Sequence, residues 1–126
     1  MKKNKFNLNI ATVNGSGSQS ANQILLKSLF RMWVPVGGKN VFPSNIAGMP
    51  TWFWIRANPR GFVGSKKYAD IVFALNPQTV KEDVHTLVPQ GFFFYSADFP
   101  MDESMRRNDV NMIAVPFKKL ADSATD

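Results

Sequence analysis

The sequence contains no cysteine and a single histidine, His85. The first absence excludes disulfides, thiolate zinc sites, cysteine-ligated iron–sulfur clusters and cysteine nucleophiles. The second excludes a two-histidine metal site, and any Ser-His-Asp arrangement would have to be built on His85. Long apolar runs are missing too. The longest, such as Ile71 to Leu75, reach about five residues, against the roughly 20 that span a bilayer. The opening MKKNKFNLNI is basic, but Asn7 and Asn9 interrupt its apolar residues, and no small-residue cleavage site appears. These absences predict a cytoplasmic chain that engages neither membrane nor metal.

Acid is also missing from one half. No Asp or Glu occurs before Asp70. Residues 1–69 carry ten cations and no anion, whereas residues 70–126 carry five and nine, which gives the net charge of +6. A carboxylate-free segment has no fixed charge to repel an anionic ligand, and its lysines attract one. The same distribution arises when lysines simply solvate a surface, and charge alone does not choose between the two.

What is present is a chain of 126 residues, 44% hydrophobic and 13% aromatic, the size and composition of one ordinary folded domain. Phe6 to Val13 alternates and then turns apolar, predicting a strand. Ala21, Ile24, Leu25, Leu29 and Met32 recur at helical spacing, predicting a helix from Ser18 to about Trp33 that Pro35 ends. A short strand comes next, near Val34 to Phe42, then a polar loop from Pro43 to Pro50. Thr51 to Ala57 has strong β-propensity, and the NPRG turn after it predicts a hairpin with Phe62–Val63. Ile71 to Leu75 reads as a buried strand. Asn76–Pro77 reads as cap and first residue of a helix reaching about Leu87, with His85, Glu82 and Asp83 on an exposed charged face. Pro89–Gln90–Gly91 turns into a strand at Phe92 to Ser96; Asn111 to Val115 is a last strand and Phe117 starts a last helix. The order β-α-β-β-β-α-β-β-α predicts an α/β sandwich with a mainly parallel sheet plus a hairpin.

The best candidate site is the turn Gly15-Ser16-Gly17 between the first strand and the first helix. Backbone N–H groups and the helix dipole favour an anion there, and Ser16, Ser18 and Ser20 add hydroxyl donors. The dinucleotide fingerprint fails, because its sixth position is Ser20 and no acid occurs until Asp70. Glycines at such a turn also serve simply to tighten it. A second class, single-stranded nucleic-acid binding, is raised by Trp52-Phe53-Trp54 with Arg56, but Val63-Gly64-Ser65 breaks the RNA-recognition signature begun at Arg60-Gly61-Phe62.

Several segments resemble a known family: VNGSGSQSANQILLKSLFRM at 13–32, VGGKNVFPSNIAGMPTWFWIR at 36–56, DIVFALNPQT at 70–79, LVPQGFFFYS at 87–96 and RRNDVNMIAVPFKKL at 106–120. Together they resemble the gamma domain (the pyruvate/ketoisovalerate oxidoreductase catalytic domain) of 2-oxoacid:ferredoxin oxidoreductases. The chain is most like the N-terminal part of the 2-oxoglutarate-type alpha subunit. The resemblance implies that this α/β sandwich is a Rossmann-like three-layer sandwich, a single gamma-type domain over 1–126, with 1–5 a disordered basic tail and the C-terminal part of the family domain absent. It also implies a part in oxidative decarboxylation of a 2-oxoacid to an acyl-CoA. Thiamine diphosphate and iron–sulfur clusters would lie in partner domains or subunits of thiamine-diphosphate-binding and ferredoxin type. The chain alone would hold no cofactor and be inactive, with coenzyme A a candidate ligand and a homo-oligomer a candidate assembly; nucleic acid is not an expected partner. Where the family carries GxGGQG, this chain has Gly15-Ser16-Gly17-Ser18-Gln19-Ser20, so serines replace two glycines. The contacts implied for coenzyme A are Gly15, Ser16, Gly17, Ser18 and Gln19, with Lys39, Ser44, Asn45 and Arg56. The alternative from another class is a stand-alone anion or phosphate-ligand binding module without redox activity.

Overall fold

The computed structural model describes residues 5–13, 15, 18–33, 35–41, 48–58 and 68–124. Its elements come in the expected order: β1 (Phe6–Val13), α1 (Ser18–Arg31), β2 (Val36–Val41), β3 (Pro50–Ala57), β4 (Ala69–Ala74), α2 (Val80–His85), β5 (Leu87–Ser96), a 3-10 turn at Glu103–Met105, β6 (Asn111–Val115) and α3 (Phe117–Ala124). The six strands form one sheet in the order β2-β3-β1-β4-β5-β6. Pairs β1–β4, β4–β5 and β5–β6 are parallel, whereas β3 runs antiparallel to both β1 and β2.

Period-two alternation assigns the two faces. Leu8, Ile10, Phe53 and Ile55 form one core cluster, with Leu25, Leu26 and Leu29 of α1 packed on it. The intervening residues point the other way, where Val72, Ala74 and Phe93 pack with Val80 and Val84 of α2. The sheet is therefore the middle layer, with α1 on one face and α2 and the 3-10 turn on the other, as predicted. Glycine fixes the spacing at one edge. A Cβ at Gly38 would sit 2.8 Å from Phe53 Cζ and 2.9 Å from Leu26 Cδ2, so its absence lets α1 settle on β2.

Three local expectations need correction. Phe62–Val63 lie outside the described residues, and both edges of β3 are already paired, so the hairpin partner of β3 is β2. The second helix is shorter than expected: the Asn76 side chain accepts from Gln78 N–H in a turn, and α2 begins only at Val80. β5 is longer. It starts at Leu87 because Ala69 pairs there, and Gln90 absorbs the irregularity with φ 70°. Gly91 permits that bend, since a Cβ there would lie 2.7 Å from Leu87 Cδ1 and 2.8 Å from the Asp70 carbonyl. Of the stretch 1–5 expected to be a tail, residues 1–4 lie outside the described residues and Lys5 makes a β-bridge.

Candidate functional site

β1, β2, β4, β5 and β6 all end at the same edge of the sheet, and β3 starts there, with Val13 opposite Pro50 and Val41 opposite Trp52. From this carboxyl edge the chain leaves β1 into α1 on one face and leaves β4 into α2 on the other. Adjacent strands whose connections leave on opposite faces mark a topological switch point, the crevice where open α/β sheets bind ligands. Gly15 sits at its mouth, exposed, with φ 86°, a conformation that costs glycine nothing and burdens any L side chain. The first turn of α1 carries no acid.

The opposite wall is tied to β1 by buried polar groups. Leu75 N–H donates to the Ala11 carbonyl at 2.8 Å, and Asn76 Nδ2 to the Thr12 carbonyl at 3.3 Å. Asn76 is fully buried. Behind it lies Asp83, which accepts from Trp52 Nε1 and from Thr79 Oγ1, both at 2.7 Å. Burial pushes the Asp83 carboxyl up to about 6, against the opposing pull of the Thr79 and Trp52 hydrogen bonds. With both oxygens engaged, Asp83 braces α2 against β3 rather than facing a ligand. This corrects the expectation of an exposed Asp83: of the three charged-face residues only Glu82 and His85 are exposed. The signal was present, since Asp83 falls on the same stripe as Val80, Val84 and Leu87. Asn9 is a second missed group. Its carboxamide is buried and neither polar atom finds a partner among the described residues.

Of the predicted contacts, Gly15 and the backbone of Ser18 and Gln19 lie at the crevice, where β1 passes into α1. Ser16, Gly17, Ser44 and Asn45 lie outside the described residues, although the segment bearing the last two leaves from Val41 and returns near Gly48 at this same edge. Lys39 is exposed on β2, opposite Trp54 and on the face away from α1. Arg56 is not gathered with the turn. It pairs with Asn7, six residues from Val13 along β1, or about 20 Å at strand rise, at the amino edge.

Donor chemistry limits what this chain holds itself. Without cysteine the chain supplies no thiolate ligand for an iron–sulfur cluster. Among the described residues no three His, Asp or Glu side chains come together as a metal site. No helix among them is long and apolar enough to cross a membrane.

Comparison with known proteins places this geometry. The model of the pyruvate ferredoxin/flavodoxin oxidoreductase family matches residues 7–126. The alpha subunit of a 2-oxoacid:ferredoxin oxidoreductase from Aeropyrum pernix is 29% identical over 121 residues, 96% of this chain and 18% of that subunit. The chain thus spans about a fifth of that relative's length. Among solved structures, a 2-oxoglutarate:ferredoxin oxidoreductase from Magnetococcus marinus, with 2-oxoglutarate, coenzyme A and succinyl-CoA bound, superposes with a TM-score of 0.76 at 22% identity. The match covers 97% of this chain and 22% of that one. The gamma subunit of a keto/oxoacid ferredoxin oxidoreductase from Geobacter sulfurreducens gives 0.74 at 11% identity, covering 95% and 66%. A pyruvate oxidoreductase subunit from Thermotoga maritima gives 0.65 at 17%, covering 89% and 60%. At these identities the structural likenesses establish the fold.

Proposed function

The chain belongs to the pyruvate ferredoxin/flavodoxin oxidoreductase family, and from that membership we propose that it works as a domain or subunit of a 2-oxoacid:ferredoxin oxidoreductase. The reaction releases the carboxyl group of a 2-oxoacid as carbon dioxide and transfers the acyl group to coenzyme A. Two electrons pass to ferredoxin. Thiamine diphosphate and the clusters supply the redox chemistry from thiamine-diphosphate-binding and ferredoxin-type partners, and this gamma-type unit contributes packing and a place for coenzyme A. A cytoplasmic setting belongs to the same proposal.

The observation that supports the coenzyme A role is the position of Gly15 and the α1 N-terminus at the crevice on the carboxyl edge. Free N–H groups of a helix start and the dipole behind them favour a pyrophosphate. The lack of any carboxylate before Asp70 leaves no fixed charge in that half to oppose it. In this reading Gly15, Ser16, Gly17, Ser18 and Gln19 hold the pyrophosphate, and Ser44 and Asn45 add contacts to the same ligand. Lys39 lies farther along the sheet, and Arg56, at the opposite edge, is the least suited of the nine.

Thermal denaturation of the chain with coenzyme A, with NAD and single-stranded RNA as controls, tests this. Ligand at about 100 times its dissociation constant adds roughly 2.7 kcal/mol of apparent stability. A shift with coenzyme A alone, lost in Gly15→Val and kept in Arg56→Ala, is expected. No shift in the assembled complex either would remove coenzyme A from this domain.

A further inference from the structure

We propose that the outer edge of the sheet, β2 with α1 above it, is a docking site for an extended acidic polypeptide segment that adds to β2 as a further strand. β2 is the terminal strand, paired among the described residues only with β3, and Lys39 and Val41 along it are exposed. An unpaired strand edge offers a row of backbone donors and acceptors ready for another chain. Beside it, between α1 and β2, runs a groove of about 340 Å³ lined by Gln23, Leu26, Lys27, Phe30, Arg31 and Val36. Leu26 and Val36 make an apolar floor, and Lys27 and Arg31, one helical turn apart, stand exposed on its rim. The end of α1 adds exposed apolar surface: Phe30 and Met32 are each 69% exposed and Trp33 is 93% exposed, with φ 63°. A tryptophan held out in solvent in a left-handed conformation is costly for an isolated chain and suited to an interface, where tryptophan and arginine anchor binding.

Charge selects the occupant. No carboxylate precedes Asp70, and among the described residues Lys27, Arg31 and Lys39 form no ion pair with their own chain. A second copy fits poorly. Two β2 edges paired about a two-fold axis would set two basic α1 helices side by side on one face. A partner segment with an apolar residue for the groove, flanked two residues away on each side by carboxylates, satisfies both the floor and the rim. The inference rests on the proposed role as one part of an assembly and names the surface by which the part is held.

The test uses blocked heptapeptides added to the isotope-labelled full chain and followed by amide chemical shifts. One peptide is Thr-Glu-Thr-Val-Thr-Glu-Thr; the other has lysine in place of both glutamates. The acidic peptide is expected to shift the amides of Val36–Val41 and the end of α1. It should bind on the order of tenfold more tightly than the basic one at low salt, as two exposed ion pairs allow. The double variant K27E/R31E should reverse that preference, and Trp33→Ser should weaken both peptides. Equal binding of the two, shifts elsewhere, no binding at millimolar peptide, or a dimer that closes the β2 edge would each overturn the proposal. Coenzyme A binding is read separately, so either result stands without the other.

Discussion

Asp83 carries the clearest consequence at the scale of a single residue. Its carboxyl titrates near 6 in the folded chain against 3.8 for an unperturbed one, because burial opposes the charge. The folded state therefore binds the proton more tightly than the unfolded state between these values. Stability contributed by this group is greatest below pH 4 and falls as pH rises through 6, by about 3 kcal/mol at most for a shift of this size. Asp83→Asn keeps an acceptor for Trp52 and removes the charge. Urea midpoints from pH 4 to 8 should show the variant gaining on the parent as pH rises, with most of the gain between pH 4 and 6 and a plateau above. Asp83→Ala leaves the Trp52 and Thr79 donors without an acceptor and should cost about 1–3 kcal/mol at pH 4, where the charge is no longer at issue. A variant difference flat with pH would mean that Asp83 is ionised without penalty.

At the scale of elements, close approach decides more than propensity does. Gly38 lets Leu26 and Phe53 meet over β2, and a Cβ there would have to push the tips of both side chains aside. Gly38→Ala should destabilise by about 1–3 kcal/mol, as overpacked cores do. Hydrogen exchange should rise along α1 and β2 while β4 and β5 hold; uniform loss across the sheet would contradict a local clash. The same scale shows how much local pattern reveals. β1 and β6 were legible to the residue, because Phe6 to Val13 and Asn111 to Val115 are periodic and bounded by turn residues. The end of α2 was not. Pattern alone could not tell that Ala69 would pair with Leu87 and draw that residue into β5, a contact between segments 18 positions apart. Nor could local pattern show that β3 would be paired on both sides, leaving no edge for Phe62–Val63. The candidate site was legible in part for the same reason. Gly15 announces a strand-to-helix turn locally, but only the register of β3 shows that Arg56 falls at the other end of the sheet.

For the whole molecule, the layers are unequal. α1 packs over β1, β3 and β2, whereas on the same face farther along the sheet Phe73 and Phe94 stack at 4.8 Å, with Phe92 38% and Ile113 36% exposed. The other face of those strands is closed by α2, Met101, Met105 and Met112. Contiguous apolar surface of this kind drives association and dye binding rather than stability. Phe92→Gln combined with Ile113→Thr replaces two side chains that are already partly in water, so little burial is lost. The double variant is expected to stay within about 1 kcal/mol of the parent in urea unfolding, while binding of a hydrophobic fluorescent dye and precipitation on concentration both fall. Phe93, next to Phe92 on β5 but facing the closed side, provides the contrast: Phe93→Ala should cost about 3–5 kcal/mol. If the surface pair costs as much as Phe93→Ala, the exposed face is part of the core of the isolated chain. If it costs little and lowers dye binding, this face is free surface, separate from the core that holds the crevice in shape.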